Sequence, residues 1–452
     1  MLPTVALQDE INGRVISPDD PDYDGARAVF LGNVDDHRPQ LIVRAADEAD
    51  VARVIALARE TGLELAVRSG GHGSAGHGTS DGGLVLDLSD LDSLEIDAAG
   101  RTAWAGAGLT TGAYTAAAAE HGLATPFGDT GTVGVGGITL AGGVGYLVRK
   151  HGLTIDDLLA ADVVTADGEL VRADAYSHPD LFWAIRGGGG NFGVVTRMKF
   201  RLHEVSTVVG GMLLLPAEPE VITSFVEAAE AAPEELSTIA AVMLAPPMPF
   251  VPAELHGKPI VLATMAYAGA VEDGERAVAP FREIATPLAD MLRPMPYPEI
   301  FEGGPEGVRP RVAMRTMLTD HFNDDAARAI MEHVPKASPP MAVAQIRVLG
   351  GAMARVPADA TAFAHRDRRL MISVATMYLD PAEQPAREAW VGGLAAELDA
   401  GDTGAYVGFL AADEQERVRS AYPGATWDRL TEIKARYDPD NVFRVNHNIP
   451  PA

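Results

Sequence analysis

Leu63-Glu-Leu-Ala-Val-Arg-Ser-Gly-Gly-His-Gly-Ser-Ala-Gly-His-Gly78 reads as a strand that empties directly into a glycine-rich loop. Upstream, 41–43 is another apolar strand. Asp47 is placed to cap a helix carrying Val51, Val54, Ile55, Leu57 and Ala58 at helical spacing, and Gly62 is placed to stop it. A strand–helix–strand unit of this kind delivers its loop to a strand end, where α/β folds place ligands. Downstream, 84–88 is a further strand. Two hairpins follow, 93–97 with 102–106 around Ala98-Ala-Gly100, and 163–166 with 169–172 around Asp167-Gly168.

A second stretch, Gly128-Asp-Thr-Gly-Thr-Val-Gly-Val-Gly-Gly-Ile-Thr-Leu-Ala-Gly-Gly-Val-Gly145, has 8 glycines in 18 residues. Glycine that dense costs backbone entropy, so it marks backbone pressed against something or N–H groups offered to an anion. A flexible linker is the competing reading. Valine, isoleucine and leucine interrupt this stretch, and strands flank the first, so a ligand cradle is favoured. Neither stretch is a Walker loop, because no Lys-Ser/Thr pair follows its last glycine. The G-x-G-x-x-G spacing occurs at Gly71/Gly73/Gly76 and Gly188/Gly190/Gly193, but both runs lead into strands and not the helix a dinucleotide fingerprint must open. His72 and His77 lack the spacing of a helical metal pair, and neither Ser69 nor Ser74 lies in G-x-S-x-G. No metal site is expected.

The 452 residues include 36 Lys+Arg and 63 Asp+Glu, a net charge of −27. Such a chain repels phosphate backbones and anionic lipid, which excludes nucleic-acid and membrane partners. Cysteine is absent, and with it disulfides, thiolate metal sites and a cysteine nucleophile. No stretch is long and apolar enough to span a bilayer, and residues 1–10 show no secretory pattern, so a cytoplasmic protein is expected. From about residue 206 glycine thins. Strands at 239–244 and 260–266 alternate with helices at 275–284 and 324–334, and proline-rich connectors fall at 246–252 and 294–298. Pro280 should kink or shorten the first of those helices. This is the texture of an α+β unit on an antiparallel sheet. A helix over 427–437 then leads into the C-terminal run.

Arg68-Ser-Gly-Gly-His72 ahead of Asp81-Gly-Gly-Leu-Val-Leu-Asp-Leu88 resembles the flavin-attachment loop of the vanillyl-alcohol oxidase superfamily, with its PCMH-type FAD-binding fold. Thr132–Gly137, Gly142–Gly145, Arg149-Lys-His-Gly-Leu153 and Leu181-Phe-Trp-Ala-Ile-Arg-Gly-Gly-Gly-Gly-Asn-Phe-Gly-Val-Val195 look like its later blocks, in order. Tyr437-Asp-Pro-Asp-Asn-Val-Phe-Arg-Val-Asn-His-Asn-Ile-Pro450 resembles the berberine-bridge-enzyme-like C-terminal signature, and the overall texture is similar to bacterial 6-hydroxynicotine oxidases. The fold implied is α+β: a PCMH-type FAD-binding domain of two α/β subdomains from 1–205 and 413–452, plus an antiparallel-sheet substrate domain from 206–412.

The resemblance implies FAD contacts at Arg68, Ser69, Gly70, Gly71, His72, Gly73, Ser74 and His77, and at Gly128, Thr130, Thr132, Val133, Gly136, Gly137, Gly142, Gly143 and Gly145. It extends them to Val194, Val195, Asn446 and Asn448. It also implies a covalent bond from His72 to the flavin 8α carbon. Relatives with a second bond use a cysteine where this chain has Thr130, so a single attachment and a smaller or more apolar substrate are expected. Val133 falls where relatives control oxygen access, and its short side chain implies an oxidase that makes hydrogen peroxide. Gln345 and Arg347 share one face of an expected strand, where Arg347 would orient an anionic substrate. Tyr406 lies where relatives place a catalytic tyrosine or acid, and would serve as base if a positive neighbour lowered its pKa. The His365-Arg366-Asp367-Arg368 cluster reads as a solvated turn or an ion-pair network. The implied activity is FAD-dependent oxidation of a small aromatic, alicyclic, alcohol or amine substrate. A dehydrogenase or carbohydrate oxidase of the same fold, a metal-dependent hydrolase and a catalytically dead flavin-binding protein are the competing classes.

Overall fold

The computed structural model describes residues 7–247, 251–301, 308–337, 341–401 and 404–452. In the first sheet, Leu41–Arg44 and Leu65–Arg68 flank Leu84–Asp87 in parallel, and Arg14–Ile16 adds antiparallel to Leu41–Arg44. The crossover helix Glu48–Thr61 begins where the Asp47 side chain accepts the Asp50 N–H, and ends at Gly62 with φ of 70°. Its Val51, Val54, Ile55, Leu57 and Ala58 pack with Leu41, Val43, Leu65, Leu84 and Leu86. The sheet edge thereby fixes where Arg68 hands over to the glycine loop.

The second sheet is antiparallel throughout, in the order Leu94–Asp97, Thr102–Gly106, Val194–Arg201, Leu158–Val164, Leu170–Asp174. Both expected hairpins are present, the second with a longer first arm. The glycine run at 187–190 feeds Val194–Arg201 at the sheet centre.

The third large sheet is again antiparallel. Its path is Ala289–Asp290, Thr207–Pro216, Pro259–Tyr267, Leu236–Leu244, Met341–Val348, Leu370–Tyr378, Arg311–Thr319, and Arg293–Pro296 also pairs with Thr207–Pro216. The connector expected at 294–298 is therefore mostly strand: the proline ring removes one donor but is tolerated where the strand has a single paired side. The connector expected at 246–252 lies partly outside the described residues. Helices Pro219–Ala231, Val271–Glu283, Asp324–His333 and Gln384–Leu398 cover one face. The helix expected at 275–284 starts earlier and continues past Pro280, because Val278 and Phe281 are buried against the sheet and outweigh the lost hydrogen bond.

Period-two alternation sorts Met341–Val348. Ala344, Ile346 and Val348 point into the helix-covered core, while Gln345 and Arg347 face the glycine loops. The halves are keyed together by Arg149, whose guanidinium donates to Ala229 O, Leu236 O and Ala232 O at 2.8, 2.9 and 2.9 Å around the end of helix Pro219–Ala231. After helix Ala425–Tyr437 the chain returns to the first two sheets, packing Phe443 in one core and Ile449 in the other.

Candidate active site

A cavity of about 400 Å³ opens between the two glycine stretches, the 189–195 run, the 406–410 segment and the C-terminal run. Of the residues implied for FAD, Arg68–Ser74, His77, Gly128, Thr130, Val133, Gly136, Gly137, Val194, Val195 and Asn446 line it. Gly73, Gly137 and Gly190 face open space, with nothing within 4 Å of where a Cβ would stand. The buried Oδ1 atoms of Asn446 and Asn448 lack a protein partner. A wall of bare backbone with free acceptors fits a large flat cofactor.

Gly142, Gly143 and Gly145 do a different job from the one expected, since none lines the cavity. A Cβ at Gly143 would lie 2.0 Å from Thr154 Oγ1, and one at Gly145 would lie 1.9 Å from Phe127 O. One at Gly142 would crowd Phe363 and Tyr406. These glycines let backbone pass backbone and so set the floor beneath Tyr406. Thr132 and Asn448 are also outside the lining, as are Gln345 and Arg347. The Arg68 guanidinium is tied into a buried pair with Asp87 at 2.8 Å and donates to Ala26 O, so it props the loop from below.

His72 lines the cavity, and burial lowers its pKa to about 4 although a hydrogen bond to the Thr132 backbone pulls the other way. His77 and His447 meet edge-on at 4.8 Å and are held near 3 and 4 by burial. All three imidazoles are therefore neutral at pH 7. The ionised side chains among the described lining residues are Arg68 and Asp129, and each has an opposite charge beside it. Asp129 meets the Arg347 guanidinium at 2.5 Å and accepts from the Thr130 hydroxyl at 3.1 Å. Arg347 is buried, donates from Nε and Nη2 to Gln345 Oε1 at 3.1 and 2.8 Å, and rests over the Phe409 ring at 5.7 Å. Its Nη1 has no protein partner.

Tyr406 also lines the cavity, and its hydroxyl oxygen accepts the Gly143 N–H at 3.0 Å. The condition for its service as a base is not met: burial pushes the phenol up to about 12, and the Gly143 N–H and Arg347 offset only part of this. Arg366 is no solvated residue. It is buried and forms a two-pronged pair with Asp156 at 2.8 Å for each contact, so the ion-pair reading of that cluster is the correct one. The sequence reading missed Asp129, Phe409 and Leu410 as cavity residues. Asp129 stood inside the second glycine stretch, directly after Gly128, and an acid there was the available signal.

A parallel-stranded unit ending in a glycine loop, an antiparallel partner unit and a roofing sheet define a flavin-binding scaffold assembled from both ends of the chain. Residues 39–174 match the FAD binding domain family, and residues 405–450 match the family described as berberine and berberine like. The chain is 32% identical to (R)-6-hydroxynicotine oxidase of Paenarthrobacter nicotinovorans, covering 98% of this chain and 97% of that protein. It is 29% identical to an FAD-linked oxidoreductase of Bacillus subtilis, covering 98% of each. The crystal structure of 6-hydroxy-D-nicotine oxidase from Arthrobacter nicotinovorans superposes with a TM-score of 0.88 at 30% identity over 98% of both chains. Glucooligosaccharide oxidase from Acremonium strictum superposes with a TM-score of 0.85 at 23% identity over 99% of this chain and 100% of that one, which speaks for the fold alone. The chain belongs to the berberine-like family of FAD-linked oxidoreductases.

Proposed function

We propose that the protein is an FAD oxidase, its flavin joined through His72, that oxidises a small ring-bearing alcohol or amine and passes the electrons to dioxygen as hydrogen peroxide. The observation that carries this reading is a half-buried, neutral His72 on the wall of a cavity whose glycines offer bare backbone to a cofactor. The 6-hydroxynicotine oxidase relative supports a small substrate of this kind. FAD and its binding residues in the 69–74 and 133–137 segments, with Asn446, belong to an FAD-binding part formed by 1–205 and 413–452, and the substrate part is 206–412. Residence in the cytoplasm belongs to the same proposal; among the described residues no helix is long and apolar enough to cross a membrane.

FAD supplies the hydride acceptor. Tyr406 stays protonated at neutral pH and donates a hydrogen bond to the substrate oxygen or nitrogen, while its own oxygen is fixed by the Gly143 N–H. Arg347 acts from behind the cavity wall: its guanidinium holds the carboxylate of Asp129, which lines the cavity, and Gln345 keeps it from swinging away. Phe409 and Leu410 keep water from the cavity. Val133 is short enough to leave the approach of oxygen open.

The purified protein should absorb in the visible, and its acid precipitate should remain yellow, while His72→Ala should release its flavin on the same treatment. One flavin-linked peptide is expected in a digest; two would contradict a single attachment. Protein reduced without air should reoxidise fast on mixing with aerated buffer and sharply more slowly in Val133→Leu. Sluggish reoxidation of the unmutated protein would make it a dehydrogenase.

A further inference from the structure

Phe30 is a large apolar residue left 38% exposed, and it stacks on His72 with ring centroids 3.9 Å apart and planes 18° from parallel. His72 lines the cavity and Phe30 does not, so the phenyl ring covers the imidazole from the solvent side. The stack is built from both directions. The Phe30 N–H donates to Gly71 O at 3.1 Å, in the loop that carries His72. Just beyond, the Gly32 N–H donates to Pro310 O at 2.9 Å, and Asn33 exchanges two hydrogen bonds of 2.8 Å with the backbone of Val312. Phe30 is thereby pinned to strand Arg311–Thr319 of the roofing sheet as well as to the glycine loop.

The chain neighbours of His72 offer no side chain to hold the ring. His72 lies between Gly70-Gly71 and Gly73, none of which carries a side chain, and Gly73 faces open space. The Thr132 backbone meets the polar edge of the imidazole. A histidine in such a run samples its rotamers freely unless something outside the loop stops it.

We propose that Phe30 is a positioning residue for flavin attachment: it fixes the His72 ring plane and screens its outer face, so that a ring nitrogen is presented to the cavity for bond formation. This rests on the reading that His72 carries the flavin. In that step the imidazole nitrogen bonds to the 8α carbon, one methyl C–H and the imidazole N–H are lost as protons, and the electron pair passes through the isoalloxazine to dioxygen. Dioxygen takes up that pair and the two protons and leaves as hydrogen peroxide, so atoms and electrons balance.

The test compares unmutated protein, Phe30→Ala, Phe30→Tyr and His72→Ala, each incubated with free FAD and sampled over time by acid precipitation. Flavin in the pellet reports the bond, and flavin in the supernatant reports reversible binding. Phe30→Ala is expected to bind the same total flavin but to accumulate pellet flavin roughly three- to tenfold more slowly, the range a ring–ring contact is worth. Phe30→Tyr, which keeps the stack, should restore the rate. Total flavin equal to the unmutated protein shows that Phe30→Ala is folded. Equal pellet flavin at every time in Phe30→Ala and the unmutated protein would overturn the role of Phe30 and leave the His72 bond standing. Flavin found wholly in the supernatant of the unmutated protein would overturn both.

Discussion

In the reaction proposed above, Tyr406 and Arg347 stand side by side in different roles. Burial confines the phenol to its protonated form, with a pKa of about 12, so in the proposed reaction its part is to donate a hydrogen bond and not to collect a proton. Tyr406→Phe should keep the flavin spectrum and slow substrate-driven flavin reduction about tenfold, the worth of one good hydrogen bond. The acid limb of the pH profile should stay in place; its loss would mean that Tyr406 titrates in that range. Arg347 and Asp129 are coupled through a half-dry contact, so a double-mutant cycle of Arg347→Met and Asp129→Asn should give an interaction of about 1–3 kcal/mol in urea unfolding. Additive single effects would dissolve the pair. His72 was legible from sequence because its glycines are its chain neighbours, whereas Phe30 and the Asp129–Arg347 pair were not, because their partners are brought in by the sheets.

At the level of elements, local signals read well where they are self-contained. Asp47 and Gly62 bracket helix Glu48–Thr61 with a cap and a left-handed stop, and both effects act within one helical turn. Pro280 misled because the burial of Phe281, which no local pattern reports, decides where helix Val271–Glu283 ends. The C-terminal signature has a structural reason that spacing alone does not convey. Lys434 and Asp438 are fully buried one turn apart at 2.6 Å. Lys434 Nζ also donates to Asn191 O and Phe443 O at 2.8 and 3.0 Å, and the Asp438 carboxylate accepts the Val442 and Phe443 N–H groups. The pair thus ties the helix end to the glycine run at 187–190 and to the segment that brings Phe443 and Asn446 to the cavity. Asp438→Ala leaves Lys434 without its counter-charge in the core, and should cost about 3–5 kcal/mol in urea unfolding. The same variant should release flavin more readily in a denaturant series. Loss of stability without any change in flavin retention would detach this knot from the site.

Across the whole molecule, the change from glycine-rich loops to a helix-covered antiparallel sheet was readable from composition, because glycine is concentrated where backbone runs bare along the cavity and thins where a sheet is covered by helices. In the second sheet the two hairpins were legible, but their joining was not, since the central strand Val194–Arg201 pairs with segments far apart in sequence. The packing also leaves a set of imidazoles half-buried in several places at once. His77 and His447 border the cavity, and His151 stacks on His203 at 3.9 Å well outside it, with burial, His203 and Lys150 together lowering the His151 pKa to about 3. Each of these groups has a folded pKa of about 3 or 4 against an ordinary 6.5. The unfolded chain therefore takes up protons as pH falls below about 6.5, while the folded chain declines them until about 4 or lower. Depressed folded pKa values place their contribution in full above pH 6.5 and remove it progressively toward acid, by about 1 kcal/mol per pH unit for each imidazole. Unfolding free energy measured in urea should accordingly fall steeply between pH 6.5 and 4.5. His151→Asn, which removes one such group without touching the cavity, should flatten that slope by about 1 kcal/mol per pH unit. Should the variant and the unmutated protein lose stability in parallel across the window, the acid sensitivity would lie with the carboxylates and not with these half-buried histidines.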